Sequence, residues 1–140
     1  MAKRIALFDF ISVDGHDISN FCRSYSFTSE HEQVDVSGFS ASGANESLAG
    51  QTVQSVELEV FGSYGANEIY DILYPIHRDR SVVAFIHYPN QNLAVSATNP
   101  QLTGNVQILT WAEGATRGEV EAFPVTLTAA DEDGLSYSDT

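Results

Sequence analysis

Apolar runs of strand length recur from end to end of this chain, rich in Val, Ile, Phe and Tyr and separated by Gly, Asn, Asp and Pro. Such spacing predicts a mainly β fold, a sandwich or barrel of about seven strands. The first strand is expected over residues 4 to 13, ended by the turn Asp14-Gly15-His16-Asp17, and the second from Cys22 to Thr28, the two forming a hairpin. Thr52 to Phe61 alternates: Val56, Leu58 and Val60 point to one face, the core, and Ser55, Glu57 and Glu59 to the other. Further strands are expected at Ser81 to Tyr88 and Leu93 to Ala97, joined by the turn Pro89-Asn90-Gln91-Asn92, and at Leu102 to Trp111 and Glu119 to Leu127. Pro124 has no amide donor and marks an edge or a bulge in the last of these.

The period changes once. Ile69, Ile72, Leu73 and Ile76 recur at three- and four-residue spacing, which predicts one short flanking helix over Ala66 to Ile76, with Asn67 or Ser63 as its N-cap and Pro75 ending it. Two other stretches have few apolar anchors. After polar Glu30 to Asp35, the Gly-, Ser-, Ala- and Asn-rich segment from Ser37 to Gly50 reads as a long exposed loop, a candidate contact arm. From Ala129 onward Asp131, Glu132, Asp133 and Asp139 give a flexible acidic tail that orders against a neighbour. The expectation is a single β domain over residues 1–129 and an acidic tail over 130–140.

Charge narrows the function classes. With 6 Lys and Arg against 19 Asp and Glu, a net charge of −13, the surface repels nucleic acid instead of gripping it. A hydrophobic share of 43% against 18% charged residues argues against disorder. Cys22 is the single cysteine, so no internal disulfide or multi-thiolate zinc site can form, and it is expected to pack as a small hydrophobe. No run approaches the ~20 apolar residues of a membrane span, and Met1 to Phe10 is broken by Asp9, so a soluble product of the cytoplasm is expected.

Catalytic motifs are missing. His16, His31, His77 and His87 form no HxxxH or HExxH pair, and His16 between Asp14 and Asp17 reads as turn capping, not a metal cluster. The pairs Glu57/Glu59 and Glu119/Glu121 have the spacing of acid and base partners, but their surroundings make them charged outer strand faces. There is no GxSxG elbow, and Gly38, Gly43 and Gly50 do not spell a phosphate loop. The reading is no catalytic residues, no metal and no cofactor. Arg78 and Arg80, around Asp79, and Arg117 are expected to form salt bridges between subunits.

The layout resembles the tail tube proteins of long-tailed bacteriophages. The resemblance runs from about Val13 to Thr128 through the turn VDGHDISNF, the loop VDVSGFSASGANESLAG, the strand VELEV, the helix NEIYDILYPI, the strand entry SATNPQLTGNVQI and the closing GEVEAFPVTLTA. It implies a non-enzymatic virion protein of the tail, six copies per ring, with rings stacked into a hollow tube that passes DNA. Its partners would be copies of itself and other tail proteins such as terminator, tape measure and distal tail protein, with DNA touched transiently and no membrane. The loop would reach the neighbouring ring, with Ser37, Gly38, Phe39, Ser42, Gly43, Asn45, Glu46 and Leu48 as contact candidates. Glu57 and Glu59, then Glu119 and Glu121, are the candidates for an acidic lumen, since a wall of carboxylates repels a sliding polyanion.

Two alternatives stay open at this point. A head decoration protein would also be small, β-rich and repeated on a virion. A carbohydrate-binding β-sandwich would use Tyr64, Tyr70, Tyr74, Tyr88 and Trp111 as sugar platforms.

Overall fold

The computed structural model describes residues 6–39, 43, 44 and 46–139. Among them eight strands form one antiparallel sheet: β1 (Phe10–Val13), β2 (His16–Asp17), β3 (Cys22–Asp35), β4 (Ser47–Phe61), β5 (Val83–Tyr88), β6 (Gln101–Trp111), β7 (Ala122–Ala129) and β8 (Ser136–Ser138). The spatial order is β2-β1-β5-β6-β7-β4-β3, with β8 also on β6. A 3-10 turn (Ser19–Phe21) precedes β3, and one α-helix, α1 (Ile69–Arg78), lies between β4 and β5. The fold class is the expected one, with eight strands instead of seven.

The sheet rolls back on itself. β3 and β5 are separated by three strands in the sheet order, yet Tyr25 of β3 stacks on His87 of β5 with ring centroids 3.8 Å apart. The enclosed face is apolar: Val56, Leu58 and Val60 of β4, Val125 and Leu127 of β7 and Phe85 of β5 are all at most 1% exposed. Period-two alternation thus sorts each central strand into a core face and a polar face, as β4 predicts from its sequence.

Helix α1 closes the roll by burying Ile69, Ile72, Leu73 and Ile76, and His77 Nδ1 lies 3.0 Å from the Ile108 carbonyl. Its start differs from expectation: Glu68 is the N-cap, and neither Ser63 nor Asn67 caps it through a side chain. The Glu68 carboxylate instead accepts the Ser63 hydroxyl and the Gly65 N–H, which holds its pKa below the usual range. Pro75 sits inside the helix, which runs on to Arg78. It ends where Arg80 turns left-handed at φ 57°, Arg80 N–H donating to His77 O and Ser81 N–H to Ile76 O, the two bonds of a Schellman motif.

Other boundaries also move. β1 starts at Phe10 and pairs with β2 and β5, not with residues 22–28, which belong to a strand paired with β4. Leu93 to Ala97 is no strand; it is a loop gathered around buried Asn99. Glu119 and Glu121 precede β7, which opens at Ala122. Pro124 sits on the central strand β7, opposite Glu59, beyond the last β6 pair at Trp111 and Val125. The bulge is on β6, between Ile108 and Trp111.

The segment expected as a loose tail carries β8. Between the pairs Val106–Ala129 and Thr103–Ser136, β6 advances three residues and the opposing chain seven, so four loop out. Leu135 fills the core at 4% exposure, and the Gln54 amide bonds its backbone from both ends, Nε2 to O at 3.0 Å and Leu135 N–H to Oε1 at 2.7 Å.

Candidate assembly surface

The feature that the body of the domain does not explain is the outer half of β3 and β4. Beyond Gln54 the two strands leave the sheet as a hairpin arm, pairing His31 with Thr52, Gln33 with Ala49, Val34 with Leu48 and Asp35 with Ser47. Ser47 to Gly50 are therefore strand, not loop, and the connecting segment shrinks to residues 36–46. The arm is sewn by side chains too: His31 Nδ1 lies 2.7 Å from Thr52 Oγ1, Gln33 Nε2 donates to Ser47 Oγ at 2.8 Å, and Ser37 accepts the Glu46 N–H at 2.6 Å.

A register shift between His31 and Gln33 inserts one extra residue into β4, so Leu48 and its partner Val34 continue the side of Ser26, Thr28 and Glu57, and the polar face of the sheet turns apolar on the arm. Val34 and Leu48 sit opposite each other there, 40% and 63% exposed. Val34 leans over Gly50, a position where any β-carbon would collide with it. Phe39 stands fully exposed beyond the strands. Of the contact candidates, Ser37, Gly38, Phe39, Gly43 and Glu46 lie in the connection and Leu48 on the arm, while Ser42 and Asn45 lie outside the described residues.

The polar face of the rolled sheet forms a second surface. Three cross-strand rows lie side by side: Ser24, Glu59, Pro124; Ser26, Glu57, Thr126; and Thr28, Ser55, Thr128. Small hydroxyl residues surround two carboxylates. Arg23 joins them because a bulge between Cys22 and Ser24 inserts it into β3, and its Nη1 lies 3.5 Å from Glu59 Oε1. Among the described residues Arg23 is the one Lys or Arg within a strand.

Glu119 and Glu121 are not part of this face. Glu121 folds over Gly62 and accepts the Tyr64 hydroxyl at 2.6 Å, and Glu113 accepts the same hydroxyl at 3.0 Å and Trp111 Nε1–H at 2.6 Å. These carboxylates, Glu121 first, push the Tyr64 hydroxyl above the ordinary tyrosine range. Sequence reading missed Tyr64 and Glu113 as partners, since nothing local links positions 64, 113 and 121. Glu119 lies in the turn before β7, where its N–H bonds Thr116 O.

The cations are spread out. Arg78 pairs with its neighbour Asp79 at 3.1 Å, which raises the guanidinium pKa and lowers that of Asp79. Arg80 and Arg117 are exposed and make no ion pair among the described residues. The aromatic candidates split up as well. Tyr64, Tyr70, Tyr74 and Trp111 form a row of ring contacts that ends on Phe123, whereas Tyr88 stacks with Phe10 elsewhere.

Cys22 belongs to neither surface. Burial first, and the Asp17 carboxylate second, push its thiol up to about 12. At pH 8 the folded protein should therefore carry about a thousandfold less thiolate at Cys22 than an ordinary cysteine would. Ellman's reagent should react slowly until denaturant is added; fast labelling of the native chain would contradict the burial.

Comparison with solved structures decides the fold family. A chain from the virion of the native gene transfer agent aligns at TM-score 0.70 and 16% identity over 93% of this chain and 95% of that one. A chain from the tail of the empty gene transfer agent particle, which has C6 symmetry, aligns at 0.70 and 18% over 95% and 96%. The SPP1 tail tube aligns at 0.69 and 11% over 95% of this chain and 76% of that one. This chain has the tail-tube fold. A chain of the anti-feeding prophage baseplate shares the fold at TM-score 0.62 and 16% identity, covering 99% of this chain and 97% of that chain. No protein-family model matches the chain, and no curated protein matches its sequence.

Proposed function

We propose that this chain is a structural subunit of a phage-type tail tube, in which six copies close into a ring and rings stack into a hollow conduit for DNA. The observation that carries the reading is the arm: a two-stranded projection whose exposed apolar pair, Val34 and Leu48, lacks a counterpart among the described residues. A second copy supplies that counterpart when rings stack. The sixfold count follows the C6 symmetry of the structurally similar gene transfer agent tail.

The hydroxyl and carboxylate face of β3, β4 and β7 suits the lumen. Ser, Thr and Pro offer a passing duplex no side chain that grips a phosphate as a cation does, and Glu57 and Glu59 repel it. The polar turns around Arg80 and Arg117 remain for lateral contacts between acidic subunits, where a cation relieves like-charge repulsion. Terminator, tape measure and distal tail proteins would meet the ends and interior of such a tube, in a virion tail, with no catalytic step assigned to the chain.

The likeness to a baseplate chain favours one further position, the end of a tube next to a baseplate, using the same surfaces. Negative-stain electron microscopy across a concentration series tests both. Hollow tubes of regular axial repeat are expected for a tube subunit, and single six-membered rings for the end position. A monomer at every concentration, also when supplied with tube seeds, would overturn the proposal.

A further inference from the structure

The polar sheet face holds one feature that a DNA-repelling wall does not require. The bulge at Cys22/Ser24 gives Arg23 and Ser24 together to Glu59 as cross-strand neighbours, and so swings a guanidinium onto the face that carries Glu57 and Glu59. Without the bulge β3 would present serine and threonine there, as it does at Ser26 and Thr28. A guanidinium is the side chain best shaped to hold a phosphodiester, with paired N–H donors and a permanent charge. Repeated in every subunit, it would line a tube with phosphate sites.

We infer that Glu59 is the guard of Arg23: its carboxylate occupies the guanidinium that would otherwise bind a duplex DNA phosphate, so the face stays non-adhesive. The inference rests on the lumen reading above. The two side chains are 60% and 40% exposed, so the pair is open to solvent and to a competing phosphate. An exposed pair contributes little to folding, which leaves its effect on ligands as the larger consequence. Glu57, between Ser26 and Thr126, has no ion pair among the described residues and acts by repulsion alone.

This separation makes a matched comparison possible, because Glu59→Gln and Glu57→Gln remove the same charge from neighbouring positions. Binding of a fluorescent 20-base-pair duplex would be measured by anisotropy from low to moderate salt, with the unassembled protein and with assembled particles. E59Q should bind and E57Q should not. The plot of log affinity against log salt should steepen by about 0.9 for each guanidinium that reaches a phosphate. Arg23→Ala added to E59Q should abolish the gain. Equal behaviour of E59Q and E57Q, or a gain that survives R23A, would overturn the guard role.

A separate readout reports on the lumen reading itself. Thr126→Cys, in the same rows, would be exposed in assembled particles to a maleimide on a polymer too wide for a tube bore, with the slow parent Cys22 as blank. Protection places the face inside the particle. Ready labelling puts it outside and defeats the lumen reading, while the E59Q and E57Q comparison on unassembled protein still decides the guard.

Discussion

Val34→Asp combined with Leu48→Asp should leave a folded, soluble monomer that no longer forms tubes. Both side chains are substantially exposed in the single chain, so the melting temperature should move by no more than ~2 °C, the usual size of a surface change. In a stacked assembly the same positions would be buried. Losing one Leu-sized contact removes about 1.5–3 kcal/mol, and an unpaired carboxylate in its place costs more again. At ~1.4 kcal/mol per factor of ten, a combined ~4 kcal/mol raises the concentration needed for assembly about a thousandfold. Sedimentation and microscopy would check this beside circular dichroism. Normal tubes at the parent concentration would defeat the arm assignment, and Leu48→Met, which keeps the apolar volume, should assemble.

The arm also shows where the sequence was readable and where it was not. β4 was legible in its inner half because Val56, Leu58 and Val60 alternate with Ser55, Glu57 and Glu59, and helix α1 because four isoleucines and leucines share one face. Residues Glu30 to Asp35 read as a polar stretch because periodicity reports burial of one face, and neither face of the arm is buried within the chain. They are a strand through pairing with Ser47 to Val53, and a ladder between two exposed strands leaves little hydropathy signal. Among the described residues the first strand is shorter than its apolar run, for the opposite reason. Apolar residues continue upstream of Phe10, and Leu7 and Phe8 are exposed at 69% and 49%.

The acidic end of the chain hides its strand in a similar way. Asp131, Glu132 and Asp133 dominate its composition, while the residues that dock it, Leu135 and Gln54, are single and 81 positions apart. The spacing of Glu121 from Glu119 predicts a strand position, yet β7 opens one residue later. The position of Glu121 is set instead by Tyr64, whose hydroxyl draws the carboxylate over Gly62. In each case alternation along the chain was insufficient, because a side-chain hydrogen bond from a distant element decided the local path.

Asn99→Ala should be the most destabilising single change among the buried polar residues, at about 3 kcal/mol. Asn99 is 2% exposed; its Oδ1 accepts the Asn90 N–H at 3.0 Å, and its Nδ2 donates to the carbonyls of Asn90, Leu93 and Ala94 at 3.0 to 3.2 Å. One side chain thus holds residues 90–94 with bonds of the kind a strand partner would have given them. Truncation leaves several backbone groups without partners at about 1–3 kcal/mol each, partly repaid by water. For a chain of this size the melting temperature should fall by roughly 10 °C, at ~2–4 °C per kcal/mol. Asn99→Asp discriminates the mechanism: it keeps the acceptor for Asn90 N–H and sets a carboxylate against three carbonyl oxygens. It should melt below the alanine variant at pH 7 and recover part of the loss as the carboxyl is protonated at lower pH. An aspartate variant more stable than alanine at neutral pH would show that volume, not donated hydrogen bonds, holds the loop.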